Sequence, residues 1–349
     1  MKKQYIFLAF VLTTQLSCSL WNQNNELRPD GHATDVPVYT HELAESVNKL
    51  IPSAINVVTF LSYDIEHFLH ERRPDGSFIR DDNSVTGYKL IGEKIIKEEN
   101  EIKSFGGGLI IGTSDTELLI LTSRHIVIHK EEVTNYYFHN GKQTDVPRSR
   151  ATLRHTESAV RPRFSTNIRP VRILADDPRA DLALLVTRND RRLGVKYEGR
   201  VAQDIYPIWG KLGVIVGYPD EVLQVSMGIT GAAPYPGNFS IDITGTFGFS
   251  GGPVFLLDRK GGLAFAGIGK SVPGKTTFFV TPDSSMQFST KLFPEDISSL
   301  EIRELPVLSQ NRMYSVDVNY VINFLRENYP IIDRSEFRLG KGFMEQINK

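Results

Sequence analysis

The run Gly248-Phe249-Ser250-Gly251-Gly252-Pro253 constrains this 349-residue chain more than any other segment. The pattern G-x-S-G-G-P would arise by chance in about one chain in a thousand of this length at ordinary residue frequencies. It puts a hydroxyl on a tight turn whose backbone N–H groups can converge on one point. A serine nucleophile and its oxyanion hole require such an arrangement. The alternative is a glycine-rich β-turn with no chemistry. A base and an orienting acid elsewhere in the chain would separate the two.

The apolar, β-prone runs Gly106–Gly112 and Leu118–Thr122 are separated by Thr113-Ser114-Asp115-Thr116, which predicts a hairpin. His125 falls where the second strand ends. A lone histidine is usually structural or exposed, and the chain has eight, but only His125 follows an apolar strand, in Leu121-Thr122-Ser123-Arg124-His125. The acid candidate is Asp181, in Asp177-Pro178-Arg179-Ala180-Asp181-Leu182-Ala183-Leu184-Leu185. Taken alone, an aspartate there reads as a strand-start residue, and Asp176, Asp177 and Asp242 are rivals by residue type.

These motifs carry a family resemblance. L-T-S-x-H closely resembles the histidine motif of trypsin-like (chymotrypsin-fold) serine peptidases, and D-P-x-x-D-L-A-L-L resembles the aspartate motif of their HtrA-like branch. The chain order His, Asp, Ser also matches that family, whereas subtilisin-type and α/β-hydrolase enzymes order the triad differently. Further segments are similar in order: Ile51–Val58 to the opening strand, Phe138–Lys142 to the hairpin after the histidine, Val214–Pro219 and Met227–Gly231 to the strands before the serine loop, and Gly261–Ile268 to the final barrel hairpin. The resemblance covers residues 50–328 with two interruptions.

It implies an all-β fold of two six-stranded antiparallel β-barrels with a C-terminal helix. It also implies a serine endopeptidase acting on polypeptides through His125, Asp181 and Ser250, without a cofactor. Gly248 and Ser250 would supply the oxyanion N–H groups. Phe249 departs from the family, whose members usually carry Asp, Asn or Gln before the serine. Thr244 falls at the position of the specificity aspartate of trypsin-type enzymes, so the expected preference is not basic but small or medium apolar. Asp242 matches an aspartate of HtrA-type loops. The competing expectation is a catalytically dormant peptidase-fold lipoprotein used as a binding scaffold. A carboxylesterase would need an α/β-hydrolase pattern that is missing.

Composition agrees with an all-β protein: 40% hydrophobic residues, 28 Gly and 18 Pro. A net charge of −1 provides no bulk field for nucleic acid. The one basic stretch, from Arg148 to Arg172, lacks interleaved stacking aromatics and reads as a solvated insertion. The glycine run at 106–112 departs from a dinucleotide fingerprint, and neither a P-loop nor a zinc-ligand spacing occurs, so no metal is expected.

Lys2-Lys3 followed by the apolar run Tyr5–Leu12 reads as an export signal, too short for a membrane span. Cys18, the single cysteine, follows Ser17 in a setting that resembles a bacterial lipoprotein cleavage site, with Gln15 departing from the usual aliphatic residue. One cysteine forms no internal disulfide. The expected organisation is a signal peptide over 1–18 and a polar tether with a short helix over 19–45, Leu43, Val47 and Leu50 sharing a face. The peptidase domain would span 46–330, with charged, turn-rich insertions near 64–103 and 143–167, and a tail 331–349 would follow. A helix from Asp317 to Asn328 should stop at Pro330, and the residues after it are too few for a PDZ domain. Oligomeric state is not encoded in any recognisable pattern.

Overall fold

Short apolar blocks pair into two curled antiparallel sheets in a computed structural model. It describes residues 41–139, 142–162, 167–190, 193–202, 209–258, 262–282, 300–308 and 311–349, all within the unit His41–Lys349. The export signal, Cys18 and the tether before residue 41 lie outside the described residues. Helix α1 (His41–Leu50) buries Leu43 and Leu50 and leads through a 3-10 turn into the first strand.

The first sheet contains β1 (Ala54–His70), β2 (Leu90–Thr113), β3 (Glu117–Ser123), the one-turn helix α2 (Arg124–Val127), β4 (Glu132–His139), β5 (Lys142–Arg161), β6 (Arg169–Pro170), β7 (Arg172–Asp177) and β8 (Leu182–Arg188). Its order is β4-β5-β1-β2-β3-β8-β7. The two-residue β6 pairs with β5, while β7, beyond Val171, pairs with β8. The sheet therefore curls back on itself through one interrupted strand. Ile55, Val57, Ile110, Ile120, Val160 and Leu185 fill this barrel and are fully buried.

The second sheet comprises β9 (Leu212–Gly217), β10 (Gln224–Ala232), β11 (Asn238–Ile241), β12 (Pro253–Leu257), β13 (Leu263–Ser271) and β16 (Met313–Asp317), closed in the order β10-β11-β16-β13-β12-β9. A separate ribbon, β14 (Gly274–Pro282) with β15 (Leu300–Leu308), is inserted before its last strand. Ile215, Phe239, Ile241, Val254, Leu256 and Met313 pack inside the closed barrel. The molecule is thus mainly β with a C-terminal helix, as expected; the second sheet is a closed six-stranded barrel, whereas the first is a nine-stranded sheet curled into a half-barrel instead of the expected six-stranded one.

Three expectations change. The segments near 64–103 and 143–167 are not turn-rich insertions: most of each is strand. β1 continues to His70, β2 begins at Leu90, and β5 runs across nearly the whole of the second segment. Ser62 through His67 pair on one side with β2 and on the other with β5, so the two segments build a single arm. The arginines in 148–161 lie on its β5 strand, and Arg154 pairs with Glu99 at 2.6 Å. At the tip, His70 lies edge-on to Phe78, Tyr88 and Tyr137, with the Arg72 guanidinium 4.6 Å above the Phe78 ring. This small aromatic core supplies the burial that an isolated hairpin would lack.

Helix α3 (Val318–Arg334) does not stop at Pro330. Asp317 caps it, its carboxylate accepting from Asn319 N at 2.7 Å. Val318, Val321, Ile322 and Leu325 are buried at the predicted spacing, but so is Ile332 beyond the proline. Its burial favours helix past the one backbone bond that proline removes. Residues 331–349 are therefore not a tail. The two-residue β17 (Arg338–Leu339) pairs with β2, and α4 (Lys341–Ile347) buries Phe343 completely against Tyr197 and Phe265.

Candidate active site

The serine loop is held from four sides. Tyr218 N–H donates to Gly248 O at 2.9 Å and Gly252 N–H to Phe249 O at 3.0 Å. Gly251 N–H donates to Gly269 O, and Gly107 N–H to Ser250 O, both at 2.7 Å. The last bond explains the glycine run before the histidine hairpin: a Cβ on Gly107 would lie 2.6 Å from Gly252 Cα. Gly248 itself has φ +101°, and a Cβ there would lie 2.6 Å from Pro219 Cα. Among the described residues, neither Gly248 N–H nor Ser250 N–H donates to a protein acceptor. Phe249 is fully buried in the second barrel. Gly217 makes room for it, since a Cβ there would lie 2.5 Å from the ring. The loop is anchored by apolar burial where a polar residue was expected.

Strand β3 delivers His125. Thr122 Oγ1 donates to Gly107 O at 2.7 Å and Ser123 Oγ to Gly269 O at 2.9 Å, locking the strand end to the serine loop before the chain turns into α2. Asp181 then grips the histidine twice. Its Oδ1 accepts from His125 N–H at 3.0 Å and its Oδ2 lies 2.8 Å from His125 Nδ1. The Asp181 carbonyl also accepts from Arg124 N–H at 3.0 Å. A carboxylate only accepts, so this contact selects the tautomer of the neutral ring that carries its proton on Nδ1 and its lone pair on Nε2. Asp181 has φ +60°, an uncommon left-handed conformation for a residue with a Cβ. The rivals have other roles. Asp176 pairs with Arg124 at 2.5 Å, Asp177 caps the turn at Arg179 and Ala180, and Asp242 is exposed.

His125, Asp181, Gly248 and Ser250 line one groove of about 920 Å³. The side chain of His125 is 45% exposed and that of Asp181 16%, so the acid is covered while the base faces the groove. One expected link is open: Ser250 Oγ donates to Lys270 O at 3.0 Å, not to His125 Nε2. Thr244 also departs from its expected place. Residues 241–244 alternate, with Ile241 and Ile243 buried, which turns Thr244 to solvent and outside the groove; Thr246, Phe247 and Val272 line it instead. Neighbouring His129 is held below the usual histidine range, first by burial and further by nearby His125, against a hydrogen bond to Ile126 O.

A second support reaches the serine loop from the arm. After β9, Asp220 and Glu221 take φ values of +48° and +62°, and this turn abuts Gly248. Glu221 pairs with Lys103 of β2 and Arg161 of β5. Sequence reasoning missed this clamp, because it joins residues from three distant segments. Lys270 was missed for a different reason: its backbone, not its side chain, meets Ser250. No protein-family model matches the chain, and no curated protein is similar to it.

Proposed function

We propose that this protein is a serine endopeptidase of the trypsin-like, HtrA-like kind, cleaving polypeptides through an acyl-enzyme. The supporting observation is the two-point grip of Asp181 on His125, set in one groove with Ser250 and two N–H groups that have no protein acceptor among the described residues. In the reaction, Ser250 Oγ leaves Lys270 O and attacks the scissile carbonyl while His125 Nε2 takes its proton. Asp181 holds the ring in the productive tautomer and stabilises the imidazolium. The N–H groups of Gly248 and Ser250 receive the oxyanion, each such donor lowering the barrier by about 3 kcal/mol. The proton on His125 passes to the leaving amine as the C–N bond breaks. Water then hydrolyses the ester by the same route. None of these steps calls on a cofactor. The export signal and Cys18 support placement in a bacterial cell envelope, anchored by lipid at that cysteine.

The Ser250–Lys270 bond favours a second reading, a dormant scaffold that binds polypeptides without cutting them. Labelling with a fluorophosphonate decides between them. The enzyme reacts as wild type and loses labelling as Ser250→Ala or His125→Ala; a folded wild type that does not label is the scaffold.

A further inference from the structure

The catalytic groove does not end at the triad. On β1, Leu61, Tyr63 and Ile65 are two residues apart and so share one face of the arm. Ile102 of β2 pairs with Leu61, and Ala151 of β5 pairs with both Ile65 and Val133 of β4. All six line the same groove as His125 and Ser250, forming an apolar wall built from four strands. Ile102 is 46% exposed, and it lies beside Leu61 on this groove-lining face. Tyr63 Oη donates to Lys130 O at 3.5 Å, tying this wall to the segment that follows the histidine helix.

The chemistry of acyl transfer says which part of a substrate meets which wall. The acyl half stays bonded to Ser250, beside Gly248, Thr246, Phe247 and Val272. The amine half leaves past His125, which protonates it, and past His129 onto the arm. We infer that the apolar face of the arm binds the leaving-group side of the substrate, so that the enzyme selects polypeptides with an apolar side chain shortly after the scissile bond. This rests on the peptidase reading. It gives the arm a role as a specificity element rather than as a spacer.

The experiment compares wild type with Ile65→Lys, Ile102→Lys and the double variant, each checked for an unchanged thermal midpoint. Quenched peptides carry leucine, phenylalanine or glutamate at the first and second positions after the cut, while a small ester and a fluorophosphonate report the acyl half alone. The variants should lose about tenfold or more in kcat/KM on the apolar peptides and stay within about twofold on the ester and the label. Wild-type preference for apolar over glutamate should collapse in them. Equal losses on ester and peptide, or an unchanged peptide preference, would overturn the assignment. Binding of the same peptides to Ser250→Ala, read by fluorescence anisotropy, keeps the test independent of turnover. Weaker binding when Ile102→Lys is added supports the arm site even if wild type never labels, and unaltered binding rejects it.

Discussion

Ser250 Oγ donates its proton to the carbonyl oxygen of Lys270 at 3.0 Å, so the nucleophile is parked on the second barrel while His125 is already oriented by the first. On the proposed peptidase reading His125 is already oriented, and the N–H groups of Gly248 and Ser250 have no protein acceptor among the described residues. Only the hydroxyl must change partner. Ser250→Ala removes one modest hydrogen bond, so it should abolish fluorophosphonate labelling while lowering stability by about 1 kcal/mol, read by chemical denaturation.

Asp181→Asn retains volume but can present an N–H to the ring and favour the wrong tautomer. Turnover of a peptide substrate should fall about 10⁴-fold with little change in KM. A loss below tenfold would show that Asp181 merely caps the strand start.

Phe249→Ala empties a fully buried site between Gly217 and the barrel core. Unfolding free energy should drop by about 3–5 kcal/mol, and labelling should fall with it because Ser250 is the next residue. Phe249→Leu fills most of the space and should retain labelling. If Phe249→Ala were as stable as wild type, apolar anchoring of the loop would be wrong.

The arm tip should respond to acid. Burial holds His70 below its ordinary value of 6.5, with Arg72 adding to the shift against a backbone hydrogen bond at Phe68. Nε2 lies 2.9 Å from Thr86 Oγ1, and the ring is packed among Phe78, Tyr88 and Tyr137. A folded pKa below the unfolded one means that the open state takes up the proton first. Stability is therefore present above the unfolded value of 6.5 and is lost as pH falls from there toward the folded pKa. Limited proteolysis between residues 70 and 90 should accelerate from pH 7 to pH 5 in wild type (order-of-magnitude window). It should be independent of pH in His70→Gln.

The Phe343 ring packs with its centre 6.0 Å from that of Tyr197 and 5.2 Å from that of Phe265, while neighbouring Leu339 pairs with β2. Phe343→Ala should destabilise the whole unit by about 3–5 kcal/mol in a single transition. Separate unfolding of the last helix alone would contradict this.

The grouping of His125, Asp181 and Ser250 in one groove could be read from the chain because each sits in a local motif, and the β architecture because many of its strands are apolar blocks. The arm could not. Glu93 to Ser104 reads as a solvated charge run, and its apolar members Ile95, Ile96 and Ile102 gain meaning only opposite β1. That pairing joins residues 27 to 41 positions apart, from Phe68–Ile95 to Leu61–Ile102, and leaves no mark on local periodicity. Pro330 misled because a stop signal is local while Ile332 is buried by tertiary packing. Thr244 misled because counting back from Ser250 ignores the alternation that turns it outward.

The contact of Gly106 and Gly107 with the serine loop has an evolutionary corollary. A Cβ on Gly107 meets Gly252, and one on Gly251 would lie 2.8 Å from Ile126 as well as against Gly107 O. The two glycine pairs are mutually exclusive with side chains on the other, although well over a hundred residues separate them in the chain. At this contact a side chain on either pair meets the backbone of the other loop, so both pairs stay glycine for as long as the two loops touch.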